Sequence, residues 1–235
     1  MAPFDRDQAL ATSQAAIGRT VGDHTFRDID GNQRRLADYR GKPLVISLIY
    51  TSCYHICPTT TRHLADVIER AQSVLGEDSF AVVTVGFDAA HDTPAAMQRF
   101  ARAQKAAAVH WDFLSTDAGT IDTFARELGF QFRPAGGGFD HLLQTTVLDA
   151  DGVIRRQVYG MEFDTPLLIE PIKRLLFGIR QLPDPLFAVL DCARDPRILE
   201  LLAEHCCEGQ TLFEGQDLGR LIPVGPYLAP IDKEG

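Results

Sequence analysis

Two cysteines stand four positions apart in "YTSCYHICPTT", residues 50 to 60, with His55 between them and Pro58 directly after the second. Thiols at that spacing suit three chemistries: buried structure, a dithiol–disulfide couple, or part of a soft-metal site. If Cys57 opens a helix, Cys53 lies in the turn before it, and the two side chains fall on one side about 5 to 6 Å apart. That separation serves a disulfide, whose Cα atoms lie about 4.4 to 6.8 Å apart, or joint ligation of one soft metal ion. Both uses need the thiolate, which the unpaired N–H groups of a helix N-terminus favour. A metal site needs a third donor. Of seven histidines, His141 is the candidate, because it follows a glycine-rich stretch and precedes the strand-like "LLQTTVL".

The elements that must position these groups follow from periodicity. "HTFRDIDGNQRRLADYRGK" holds Asp30-Gly31 between alternating segments, predicting an N-terminal hairpin. "PLVISLIY" reads as a strand buried on both faces, and the cysteine pair sits at its C-terminal end. From Pro58, residues Leu64, Val67, Ile68, Ala71, Val74 and Leu75 keep helical spacing until Gly76. "SFAVVTVGFD" is a second buried strand, and Thr93-Pro94 caps the helix that follows. "VHWDFLST" predicts another strand, and Asp117 starts a helix running to Gly129. "RPAGGGFDH" reads as a flexible connection, "LLQTTVLDADGVIRRQVYG" as a hairpin turning at Asp151-Gly152, and "TPLLIEPIKRLLFGIRQ" as a helix bent or restarted at Pro171. The order predicts an α/β thioredoxin-like fold, a central mixed sheet flanked by helices, with an N-terminal hairpin and a C-terminal extension. The expected division is 1–17 as an N-terminal segment, 18–181 as the thioredoxin-like domain and 182–235 as a cysteine-containing extension.

Composition narrows the function classes. A net charge of -9 opposes binding to nucleic-acid phosphates. No apolar run approaches the roughly 20 residues that cross a bilayer. The start, "MAPFDRDQAL", does not have the pattern of a signal peptide, although a trimmed signal or anchor would leave the same beginning. Five cysteines are too few for a disulfide scaffold in 235 residues.

"YTSCYHICPTT", "GFDAAHDTP" and "FDHLLQTTVLDADG", in this order, resemble the Sco/SenC family of thioredoxin-fold copper-binding proteins, over roughly residues 18 to 180. The resemblance implies help in assembling the copper centre of cytochrome c oxidase. It also implies one copper, Cu(I) or Cu(II), held by Cys53, Cys57 and His141. A soft thiolate pair with one imidazole suits both oxidation states. It further implies a partner, the copper-site subunit of the oxidase or another cuproprotein, a thiol reductant, and a periplasmic or membrane-anchored location facing the periplasm. This chain departs from the family by carrying Tyr54 and His55 where proline and an acidic residue usually follow the first cysteine. It also reads Asp88-Ala89-Ala90-His91-Asp92-Thr93-Pro94 where the family has Asp-Pro-x-Arg-Asp-Thr-Pro. His55 is then a fourth ligand or an exposed loop residue, and Asp88 an outer acceptor or a turn residue.

Two other activities compete. Cys53 and Cys57 as the catalytic redox pair of a thiol–disulfide oxidoreductase would leave His141 dispensable. A peroxidase on the same fold lacks an arginine in the loop to stabilise its thiolate. In the extension, Cys192, Cys206 and Cys207 with His205 read first as a stapling disulfide, and second as a soft-metal or thiol-relay cluster.

Overall fold

A computed structural model describes residues 4–106 and 111–177. In chain order the elements are α1 (Arg6–Gln14), β1 (Thr25–Arg27), β2 (Gln33–Arg35), β3 (Leu44–Ile49), α2 (Ile56–Leu75), β4 (Ala81–Gly86), α3 (Pro94–Ala103) and β5 (Trp111–Leu114). There follow α4 (Ala118–Glu127), β6 (Phe132–Ala135), β7 (Gly138–His141), β8 (Gln144–Leu148), β9 (Ile154–Tyr159) and α5 (Pro166–Leu176).

The aliphatic runs become the middle of a five-stranded sheet ordered β5-β4-β3-β8-β9. β4 runs parallel to both β3 and β5, whereas β8 is antiparallel to β3 and β9 antiparallel to β8, so the sheet is mixed. All six residues of β3 are buried. Side chains alternate across a strand, so the run feeds two cores. Val45 and Ile49 join Leu64, Ile68, Met97 and Ile172 from α2, α3 and α5 on one face. Ile46 and Leu48 join Val83, Val85, Phe124 and Leu128 on the other, where α4 packs. Each fully buried aliphatic side chain stabilises the fold by about 1.5–3 kcal/mol. The thioredoxin-like arrangement of a mixed sheet between helices is therefore present as the sequence predicts.

Local chemistry sets the boundaries of the helices. The Thr93 side chain accepts from the Ala96 N–H with Pro94 at the first helical position, and Asp117 accepts from the Thr120 N–H. Asp30-Gly31 turns β1 onto β2, and Gly152 turns β8 onto β9.

Three features differ from expectation. The N-terminal segment contains α1, capped by Asp5 accepting from the Gln8 N–H. Its buried residues are only Ala9 and Ser13, too small to give a periodic apolar signal. The stretch read as flexible is a hairpin: β6 pairs with β7, Phe132 opposite His141, and Gly136 and Gly137 (φ 51° and 90°) form the tight two-residue turn that needs positive φ at both positions. Finally, of the two readings at Pro171, bent or restarted, the restart does not occur, since α5 runs through it as one helix. Cys192, His205, Cys206 and Cys207, and with them both readings of the extension, lie outside the described residues.

Candidate dithiol and metal site

β3 ends at Ile49 and α2 begins at Ile56, so the cysteine loop spans the strand-to-helix junction above the parallel strands. Cys57 falls in the first turn of α2 and is buried; Cys53, in the loop, is half-buried, and both are free thiols. The Cys57 N–H donates to the Cys53 sulfur at 3.3 Å. The Cys57 thiol is the largest influence on Cys53. It acts as a donor, joined by the backbone N–H groups of Cys57 and His55 and by the Tyr50 hydroxyl, and together they overcome burial and push the Cys53 pKa down to about 4. The thiolate on Cys53 and burial together push Cys57 up. One proton therefore resides on the buried sulfur, and the accessible sulfur carries the charge.

The loop is tied to the connection between β4 and α3 by a residue that sequence reasoning did not assign. Asp92 is buried, and its Oδ1 accepts from both the N–H and the hydroxyl of Thr51, each at 2.7 Å. Its Oδ2 accepts from the Asp88 N–H at 2.8 Å. Burial raises its pKa against these bonds. The carboxylate nests against Gly86, where an added Cβ would stand 2.5 Å from the Asp92 Cβ. Asp88 itself bonds exposed His91 at 2.8 Å in the same turn, so of the two acids it is Asp92 that touches the loop. His55 occupies the N-cap position with its side chain exposed and making no cap bond; its contribution is the N–H directed at Cys53. Asp-Thr-Pro reads in the sequence as a helix start and as part of a motif, and not as a tie to the cysteine loop, because a contact to Thr51, 41 residues away, has no local signature.

His141 closes β7 opposite Phe132. Its Nδ1 lies 2.8 Å from the Leu142 carbonyl oxygen, which only accepts, so Nδ1 carries the proton and the Nε2 lone pair is left for another partner. Burial lowers its pKa and keeps the ring neutral, the form that ligates metals. The ring packs against Phe87 at 5.1 Å, Phe130 at 5.6 Å and Tyr50 at 6.0 Å between centroids. Tyr50 was also missed. Burial first, then the neighbouring Cys53 sulfur, raise its pKa to about 12, so the phenol keeps its proton.

Cys57 and His141 line one cavity of about 20 Å³ between α2 and β8, with Thr60, Gln144 and Thr145. That volume holds one water-sized occupant. The Thr60 hydroxyl is buried there with no hydrogen-bond partner among the described residues. The fold thus joins Cys53 to Cys57 directly and sets His141 in the wall of the cavity that Cys57 lines. It does not draw the three to ligation distance: among the described residues, no group of three or more His, Cys, Asp or Glu side chains is placed to hold a metal ion. The donor set still fits a soft ion, with one thiolate, one thiol able to lose its proton and one neutral imidazole with a free lone pair.

A family model described as SCO1/SenC matches residues 12–176. The chain belongs to the SCO1/SenC family. A second model, a domain of unknown function (DUF4123), matches 186–234. The SCO1 protein homolog of Bacillus subtilis (strain 168) is 26% identical over 148 residues, covering 60% of this chain and 74% of that protein. A solved structure from Aquifex aeolicus VF5 is 30% identical with a TM-score of 0.63, covering 69% of this chain and 95% of that one. ScoI of Bradyrhizobium japonicum, solved with copper bound, has a TM-score of 0.56 at 23% identity, covering 67% and 99%. BsSco, described with a disulfide switch and as a member of the Sco family of cytochrome c oxidase assembly proteins, has a TM-score of 0.60 at 24% identity, covering 68% and 95%. The last two likenesses concern the fold. Among the described residues no helix is long and apolar enough to cross a membrane.

Proposed function

We propose that this SCO1/SenC protein binds one copper ion through the sulfurs of Cys53 and Cys57 and Nε2 of His141, and takes part in assembling the copper centre of cytochrome c oxidase. The observation that carries the reading is the placement of Cys57 and a neutral His141 on one small cavity beside an ionised Cys53. Membership of the family supports it, as does the copper-bound relative of like fold. Three ligands on a loop, a helix start and a hairpin leave copper open to exchange with the oxidase subunit or another cuproprotein. A location facing the periplasm accords with that cargo. We assign the fold to residues 18–181 and treat 182–235 as an extension.

Anaerobic copper titration of the reduced protein tests this. We expect one Cu(I) per chain, and a thiolate charge-transfer colour with Cu(II). Full colour in His141→Ala would remove the imidazole from the ligand set, and absence of stoichiometric binding in the wild type would end the copper reading.

The asymmetry of the cysteines favours a second role as a thiol–disulfide oxidoreductase. The Cys53 thiolate would attack a partner disulfide, forming a mixed disulfide and releasing the first partner thiolate. Cys57 would then lose its proton and attack the Cys53 sulfur, forming the Cys53–Cys57 disulfide and releasing the second partner thiolate. An accessible low-pKa thiol backed by a buried partner has the form that sequence of steps needs. Exchange with a disulfide substrate by metal-free protein measures it.

A further inference from the structure

Cys57 is 2% exposed, so anything that bonds to the pair, a partner sulfur or a metal in transit, must arrive at Cys53. What lies beside Cys53 on the open side is therefore what such a partner meets. The next residue, Tyr54, is 97% exposed, and Ile56, the first residue of α2, is 43% exposed. A ring so exposed touches almost nothing of its own chain. Its backbone, by contrast, is bonded in place on both sides. The Cys53 N–H donates to the Tyr50 carbonyl at 3.1 Å, and the His55 carbonyl accepts from the N–H and the hydroxyl of Thr59 at 3.2 and 2.9 Å. Behind them Thr51 is fastened to Asp92. The ring is thus held out on a fixed loop, and that display contributes no burial to the fold. Single exposed apolar side chains, such as Ile17 after α1 and Leu167 on α5, are ordinary. Two of them beside the reachable sulfur of a site are not.

We propose that Tyr54 and Ile56 form a docking lip for the protein that meets Cys53, and that this partner presents its own cysteine on a segment flanked by apolar side chains. A disulfide between the two proteins would set the bonded Cα atoms about 4.4–6.8 Å apart. Neighbouring Cα atoms along a chain are about 3.8 Å apart, so the partner residues on either side of its cysteine come within side-chain reach of Tyr54 and Ile56. Apolar flanks gain there by leaving water, and charged or very small ones do not. A tyrosine ring suits the task, since it offers a large contact area with few rotamers to freeze. The lip rests on the reading of Cys53 as the sulfur that partners meet, and it adds to that reading which partners are favoured.

The test uses the full chain, reduced and metal-free, with two synthetic peptides of equal length, each closed by one disulfide. One carries leucine and phenylalanine beside its cysteines, the other glycine and serine. In disulfide exchange we expect the wild type to show a KM about tenfold lower for the apolar-flanked peptide, the size of one interface anchor, at similar kcat. Tyr54→Ala should erase most of that preference and Ile56→Ser part of it, whereas Tyr54→Phe, which keeps the ring, should retain it. A loop merely disturbed by substitution would slow both peptides alike and leave their ratio unchanged, which overturns the proposal, as does a wild type without preference. If the wild type exchanges with neither peptide, the oxidoreductase reading fails, and the apolar-flanked peptide with serine in place of cysteine decides the lip. It should still shift the amide resonances of residues 53–56 in the wild type, and shift them less in Tyr54→Ala. Absence of that shift overturns the lip as well.

Discussion

The two halves of the site are held by different means. The cysteine loop is locked by backbone: it leaves a fully buried parallel strand, enters α2 within seven residues, directs N–H groups at Cys53 and is fastened through Thr51 to Asp92. The His141 hairpin has no such ladder to the sheet and rests on aromatic rings. A strand-to-helix junction makes the charge on sulfur an inherent property of the fold, whereas the imidazole depends on packing that can yield.

The comparison breaks most visibly if Cys53 is lost. Cys53→Ser should reduce copper affinity by more than the roughly hundredfold that removal of an outer-shell partner costs, and should abolish disulfide exchange, as competition titration and a disulfide substrate would show. Next comes the fastening of the rigid half. Asp92→Ala leaves the Thr51 and Asp88 donors without their acceptor and should destabilise the protein by about 3 kcal/mol in urea unfolding, with Asp92→Asn milder. On the yielding side, His141→Ala should remove the Cu(II) colour while leaving disulfide exchange within about threefold of wild type, because Cys53 owes its charge chiefly to Cys57 and the helix N–H groups. The smallest effect is one of pH. With its pKa lowered to about 4, Cys53 is a thiolate at neutral pH, so its alkylation rate should be nearly level from pH 8 down to about 5 and halve near pH 4. A rate that instead falls tenfold per pH unit below 8 would show that the junction does not ionise the sulfur.

The same contrast explains what was legible in the sequence. β3 and β4 announced themselves as aliphatic runs, Thr93-Pro94 and Asp117 as helix starts, and the Cys53–Cys57 spacing as a junction, because each rests on neighbours along the chain. The hairpin reads in the sequence as a loose connection, since three glycines and a proline resemble a linker until Phe132 and Phe139 find Phe87. Asp92 and Tyr50 escaped notice for a related reason. Asp92 acts across a gap of 41 residues, and Tyr50 looked like the last residue of a strand. His141 was found through its motif, yet its protonated Nδ1 and its aromatic surroundings emerge only in three dimensions.

The tip of the hairpin has a consequence for chemical synthesis. A Cβ added at Gly136 or Gly137 would meet nothing within 4 Å, so what bars ordinary residues there is handedness and not room. A mirror-image alanine introduced by peptide ligation at either position favours the positive φ found there and would narrow the unfolded ensemble. The arm that presents the imidazole could then be stiffened by chirality alone, with every natural side chain left in place.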